Sequence, residues 1–260
     1  MKKTVLALFL LSLCVLSLFA LSSCGSNKEV IVNYGGGQAD ASLGEKPSLE
    51  QIVNSTPTKE GCVFAGWYSD PAFTSYINPI AITKQQKSNA TAHAKWITVE
   101  ESKTYAVRSN SVTVTDTGRS KQPFDKVGII SDYNVLDLQR AGYKSIDVTV
   151  SLALSEKDDG YQYIFLYADE KCQDSNISSL LDIYDKYVFG EEKEDPSLLY
   201  AYKHDHNPDA ADSSWETVTF SVTIELSKLK SDLYIRYGAS GNKGDDWLNK
   251  DVSVTVSPKK

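Results

Sequence analysis

Over most of the chain beyond residue 100, apolar and polar residues alternate one for one. Ile146, Val148, Val150, Leu152 and Leu154 stand between Ser145, Asp147, Thr149, Ser151 and Ala153. Val218, Phe220, Val222, Ile224 and Leu226 do the same against Thr219, Ser221, Thr223 and Glu225, and Val252, Val254 and Val256 close the chain. A period of two puts one set on each face of a strand, with one face buried and one wet, which is the pattern of antiparallel sheets. Further strands are predicted at residues 104–107, 112–115, 127–130, 198–202 and 233–237. Tyr161 to Tyr167 is aromatic on one face and apolar on the other, which predicts a central strand. About nine strands over residues 102–260 imply an antiparallel, jelly-roll-like β-sandwich. One segment departs from the pattern. Ile177, Leu180, Leu181, Tyr184 and Val188 recur at helical spacing after Ser175 and predict one short helix on a sheet edge.

The N-terminus follows a different logic. Lys2 and Lys3 precede a nearly unbroken apolar run from Thr4 to Ala20, which ends in Leu21-Ser22-Ser23 before Cys24. Charge, apolar core and small residues in that order read as a signal peptide over residues 1–23. The run is short for a spanning helix, which needs about 20 apolar residues. The L-S-S-C ending resembles the bacterial lipobox. That resemblance implies lipidation of Cys24, a tether over residues 24–28, and a protein held on the membrane and facing the exterior. Two or more acyl chains anchor stably, at about 0.8 kcal/mol per buried methylene.

Residues 29–97 form a third region. Val30-Ile31-Val32 is a short strand broken by Gly35-Gly36-Gly37. Residues 63–67 and 92–96 alternate between turn residues and predict two more strands. The pieces N-Y-G-G-G at residues 33–37, P-T-K-E-G at 57–61, F-A-G-W-Y at 64–68 and A-K-W at 94–96 together resemble the Listeria–Bacteroides repeat, the B-repeat of internalin-type surface proteins. Cys62 stands where the family usually has an aromatic residue, and Ala92-His93 where it has Leu-Tyr. The resemblance covers about a quarter of the chain and implies a small β-grasp-like fold, used as a spacer or a weak protein-binding module. Trp67 and Trp96 are expected to serve its core.

Charge narrows the partners. The chain carries a formal net charge of -7, and loss of Lys2 and Lys3 takes this to about -9, which argues against nucleic acid. Of four cysteines, Cys14 leaves with the leader and Cys24 carries lipid, so Cys62 and Cys172 remain, expected as separate free thiols rather than a bridge. His204-Asp205-His206, with Asp209 and Asp212 nearby, reads as a solvated loop before a zinc site. Asp245, Asp246 and Asp251 match no calcium-loop spacing. No metal or cofactor is expected. Neither G-x-S-x-G nor H-E-x-x-H occurs, so the chain is expected not to be an enzyme.

The binding candidates are Trp215 and Trp247, which flank loops, with Asp245 and Asp246 beside Trp247. Ring stacking plus carboxylate hydrogen bonds would suit a sugar if Trp247 faces water, whereas an inward ring plugs the end of the fold. Tyr200, Tyr202, Tyr234 and Tyr237 are read as core before platform. These features point to a cell-surface binding or adhesion lipoprotein, with the repeat as spacer and the sandwich as the module for an extracellular glycan or protein. Two alternatives stand beside it. One is a surface glycan hydrolase; the other is protein binding through the repeat, with an architectural sandwich.

Overall fold

The computed structural model describes residues 30–82, 90–115, 124–129, 133–156, 160–169, 184, 197–205, 214–229, 232–241 and 246–260. The expected leader, Cys24 and the tether lie outside the described residues. So do Cys172, His206, Asp209, Asp212, Asp245 and, apart from Tyr184, the helix expected after Ser175. The fold is mostly β, as the alternation predicts. The chain divides into two compact units, Met1–Thr58 with Trp67–Lys95, and Lys59–Gly66 with Trp96–Lys260.

Three strands, β1 (Val30–Asn33), β2 (Val63–Tyr68) and β3 (Ala90–Ile97), form a sheet in the order β1-β3-β2. β1 runs parallel to β3, with Val30 opposite Ala90. Helix α1 (Leu49–Val53) lies between β1 and β2 in sequence. Its start is set by a capping box. The Gln51 amide N–H donates to Ser48 Oγ at 3.2 Å, and the Ser48 amide N–H donates to Gln51 Oε1 at 2.8 Å. Leu49, Ile52 and Val53 are its buried face. Trp67 is 1% exposed, donates from Nε1 to the Ser55 carbonyl at 3.4 Å, and meets Tyr34 edge-on at 5.7 Å. Gly66 beside it sits at φ +108°, a conformation that a side chain would strain.

The remaining strands build a sandwich. One sheet has the order β10 (Trp215–Glu225), β7 (Ser145–Glu156), β12 (Asp246–Lys259), β4 (Lys103–Arg108), with β5 (Val112–Thr115) also on β12. The other has the order β6 (Phe124–Lys126), β11 (Tyr234–Gly241), β8 (Gly160–Tyr167), β9 (Leu198–Asp205). The pairs β5 with β12, β6 with β11, β7 with β10 and β8 with β9 are all antiparallel. They nest one inside the next, like one long hairpin folded over into two sheets. That is jelly-roll topology.

The predicted alternation sets the two faces. Ile146, Val148, Val150, Leu152, Val218, Phe220, Val254 and Val256 point inward against Ile164, Leu166, Ile235 and Tyr237. On the outer face of the five-stranded sheet, cross-strand hydroxyl pairs replace apolar contacts. Thr149 meets Ser221 at 2.8 Å, Thr104 meets Thr255 at 2.8 Å, and Thr223 Oγ1 donates to Asp147 at 2.7 Å. β8 is internal, and both its faces are buried. Ile164 and Leu166 enter the main core, while Tyr163, Phe165 and Tyr167 form a second cluster with Tyr234, Leu198 and Ala201. Tyr184 packs on that cluster, its ring 5.4 Å from Tyr163.

Two details depart from the alternation. The strand expected at residues 127–130 is instead Phe124–Lys126. Gly128, at φ +88°, turns the chain away, and the Ile129 N–H donates to the Asp232 carboxylate at 2.8 Å rather than to a ladder. A helix not expected from the pattern, α2 (Val135–Arg140), starts where Asn134 Oδ1 accepts from the Leu136 N–H at 2.9 Å. In β12 the register shifts between Lys250 and Ser253, where Asp251 stands at φ +52°. This bulge falls where the neighbouring edge passes from β4 to β5.

Candidate functional site

One end of the sandwich carries a polar strip that runs across its interior. At one edge, Arg108 at the end of β4 places Nε 3.2 Å from Asp125 Oδ2 on β6. The same guanidinium donates from Nη2 to Asn249 Oδ1 at 2.6 Å and lies 4.6 Å from the centre of the Tyr237 ring. Burial pushes the Tyr237 phenol far up from its ordinary pKa, the Asp125 charge adds to that, and Arg108 opposes both, so the hydroxyl stays neutral. Two residues before Asn249, Trp247 faces the same interior and meets the His204 ring edge-on at 5.8 Å. At the far edge, His204 Nε2 lies 3.5 Å from Glu216 Oε2.

Gln162 completes the strip. Its backbone stands between His204 on β9 and Ala239 on β11, and its side chain is in phase with the inward Ile164 and Leu166. It is 0% exposed, and neither Oε1 nor Nε2 has a hydrogen-bond partner among the described residues. The same holds for Asn249 Nδ2 and Trp247 Nε1. Each buried group left unpaired costs about 1–3 kcal/mol. Such a strip offers neutral donors and acceptors in the middle, with the Arg108–Asp125 ion pair at one end and His204 beside Glu216 at the other. The sequence carried its signal at Gln162, a polar residue standing in the apolar phase of a strand.

The residues singled out from the sequence divide. Trp247 is 1% exposed inside the core, so its ring offers no stacking face at the surface, and the stacking role expected of it is corrected to packing. Trp215 is 41% exposed at the start of β10, and Lys250 Nζ lies 4.0 Å above its ring. The backbone of Asp246 opens β12, opposite Thr115. Asp251 is exposed at the bulge. Tyr234 and Tyr237 are buried, as read. Tyr200 and Tyr202 are half-buried and stack on Phe220, Tyr202 at 4.5 Å with the rings 9° from parallel. Cys62 is a half-buried free thiol.

A second surface lies on the loop after β2. The Asp70 carboxylate accepts from the amide N–H groups of Ala72, Thr74 and Ser75 at 2.7–3.2 Å. Desolvation works to raise its pKa, and these bonds together outweigh it, leaving the group below the ordinary carboxyl value. The loop so fixed holds Phe73 at φ +57° and exposes Phe73 and Tyr76, with Ile80 95% exposed a few residues on.

The fold thus places a jelly-roll sandwich after a small α/β segment with four matching sequence pieces. Residues 29–95 match the family profile of the Listeria-Bacteroides repeat domain, which bears out the resemblance. Repeats of this kind are typical of bacterial surface proteins. Among the described residues no helix is long and apolar enough to cross a membrane. Comparison with curated proteins finds no match. Solved structures similar to the chain include that of the infectious bursal disease virus Gt strain, at 12% identity and TM-score 0.30, covering 68% of this chain and 35% of that one. Others are Eiger TNF from S. frugiperda, at 9% identity and TM-score 0.31, covering 62% and 94%, and tomato aspermy virus, at 13% and 0.30, covering 62% and 79%. The chain spans about a third of the length of the bursal disease virus chain. Likenesses at these scores carry no argument about function.

Proposed function

We propose that the chain is a lipid-anchored surface protein that binds rather than catalyses. Cys24 carries the lipid, the repeat serves as spacer, and the sandwich takes an extracellular glycan on the outer face of its five-stranded sheet. The observation that carries this is Trp215, a large ring exposed on a face of serine and threonine hydroxyls. A ring of this kind packs against the C–H face of a sugar while hydroxyls bond its edge. Lys250 over the other side of the ring holds it in place. Binding is favoured over hydrolysis because the Asp125 carboxylate is paired to Arg108.

On a glycan array, the full mature chain should bind, and Trp215→Ala should weaken that binding at least about tenfold, roughly 1.4 kcal/mol. Its melting temperature should not move, since the ring is exposed. A wild type that binds no glycan, or a variant that binds as tightly, overturns the reading.

The anchor has its own test. Cys24→Ala should abolish fatty-acid labelling and leave an uncut or released protein. A cut, mature variant that still fractionates with the membrane refutes the lipid anchor.

A second reading rests on Phe73, Tyr76 and Ile80. Their exposure on the repeat suits a protein partner, with the sandwich architectural. A wild type that ignores glycans but captures a surface protein, with capture lost in Ile80→Asp, favours it.

A further inference from the structure

We infer that the polar strip inside the sandwich is a binding site for hydroxyl-bearing guests, held between the sheets by Gln162, Trp247 and Asn249. The inference is independent of Trp215, which lies on the outer face.

Gln162 is fully buried and aimed into the strip, and both ends of its amide lack a partner among the described residues. Folding leaves such a group unpaired only at a cost, which is why buried amides in proteins almost always have partners. Here three side chains in one strip, Gln162, Trp247 and Asn249, share the same deficit. They are neighbours by construction. Gln162 pairs in register with His204, the His204 ring touches Trp247, Trp247 and Asn249 share a face of β12, and Asn249 reaches Arg108, which lies on the Tyr237 ring.

Their chemistry selects the guest. Trp247 Nε1 and the Asn249 and Gln162 NH₂ groups donate, and Gln162 Oε1 accepts. A mostly donating set wants oxygen lone pairs. The Arg108 charge at one end of the strip is already matched by Asp125, so a neutral guest fits better than an anion. Hydroxyl oxygens meet these terms. They come from one of two sources, ordered water or a sugar.

Crystals of the full mature chain test this, unsoaked and soaked in glucose, galactose, mannose or N-acetylglucosamine. Density within hydrogen-bond reach of the Gln162 amide and Trp247 Nε1 is expected, about 2.7–3.2 Å away. Single oxygen peaks identify water, and a pyranose ring after soaking identifies a sugar. Either should persist in Trp215→Ala and should lose its contacts in Gln162→Met. A Gln162 amide bonded only by protein groups, with no density between the sheets, overturns the inference. That result can be read from the wild type alone, so a variant that does not fold leaves the test intact. Because the glycan array reads the outer face and the density reads the interior, failure of one is distinct from failure of the other.

Discussion

Trp247→Ala should lower the unfolding free energy of the sandwich by about 3–5 kcal/mol, the range for deleting a large buried aromatic side chain. The ring is 1% exposed and sits in the main core. Its strand pairs with β7 on one side and β5 on the other, with Trp247 opposite Glu156 and Val114, so the backbone has little freedom to close the cavity. In a domain of this size each kcal/mol moves the melting temperature by about 2–4 °C, so a drop on the order of 10 °C should appear in calorimetry. Trp247→Phe should recover much of the loss, because it refills most of the volume and gives up an indole N–H that lacks a partner among the described residues. A change of less than about 2 °C in the alanine variant would show that the ring is not part of the core.

This outcome separates what the sequence made legible from what it did not. The sandwich strands were legible because one face of each is buried, and burial writes itself as a period of two. β7 and β10 carry that period for 12 and 11 residues. Trp247 shows the limit of the method. A tryptophan beside Asp245 and Asp246 at a loop reads as a binding residue, and the phase of its strand does not correct that reading. It stands two residues from Asn249, and the bulge at Asp251 then shifts the phase before Val252, so the alternation counted back from Val252 puts both residues on the wrong face. The short helices escaped for another reason. α1 and α2 have five and six residues, too few for a helical period to repeat. Their caps are Ser48 with Gln51 and Asn134. The interior strip depends on residues from seven strands far apart in sequence, and no local pattern joins Arg108 to Asn249. Only its symptom was local, a Gln at an apolar position of β8.

Trp67→Ala should cost about as much, about 3–5 kcal/mol, with a larger consequence. Trp67 is 1% exposed, and its indole N–H donates to the Ser55 carbonyl, so the variant opens a cavity and leaves that carbonyl without this donor. The unit that holds it is small, and small domains bury a lower fraction of their surface and hold only a few kcal/mol in reserve. The loss therefore approaches the whole stability of that unit. Two calorimetric transitions are expected in the wild type, and the variant should lose one while the other stays in place. Hydrogen exchange locates the effect. The amides of Ile52, Gln38 and Thr58, bonded to Ser48, Thr58 and Gln38 in turn, should lose protection. Those of Val150 and Ile164 in the sandwich should keep it. A single transition that shifts as a whole, with protection falling equally at Gln38 and Val150, would show that the repeat and the sandwich unfold as one cooperative body and that the repeat is no independent spacer.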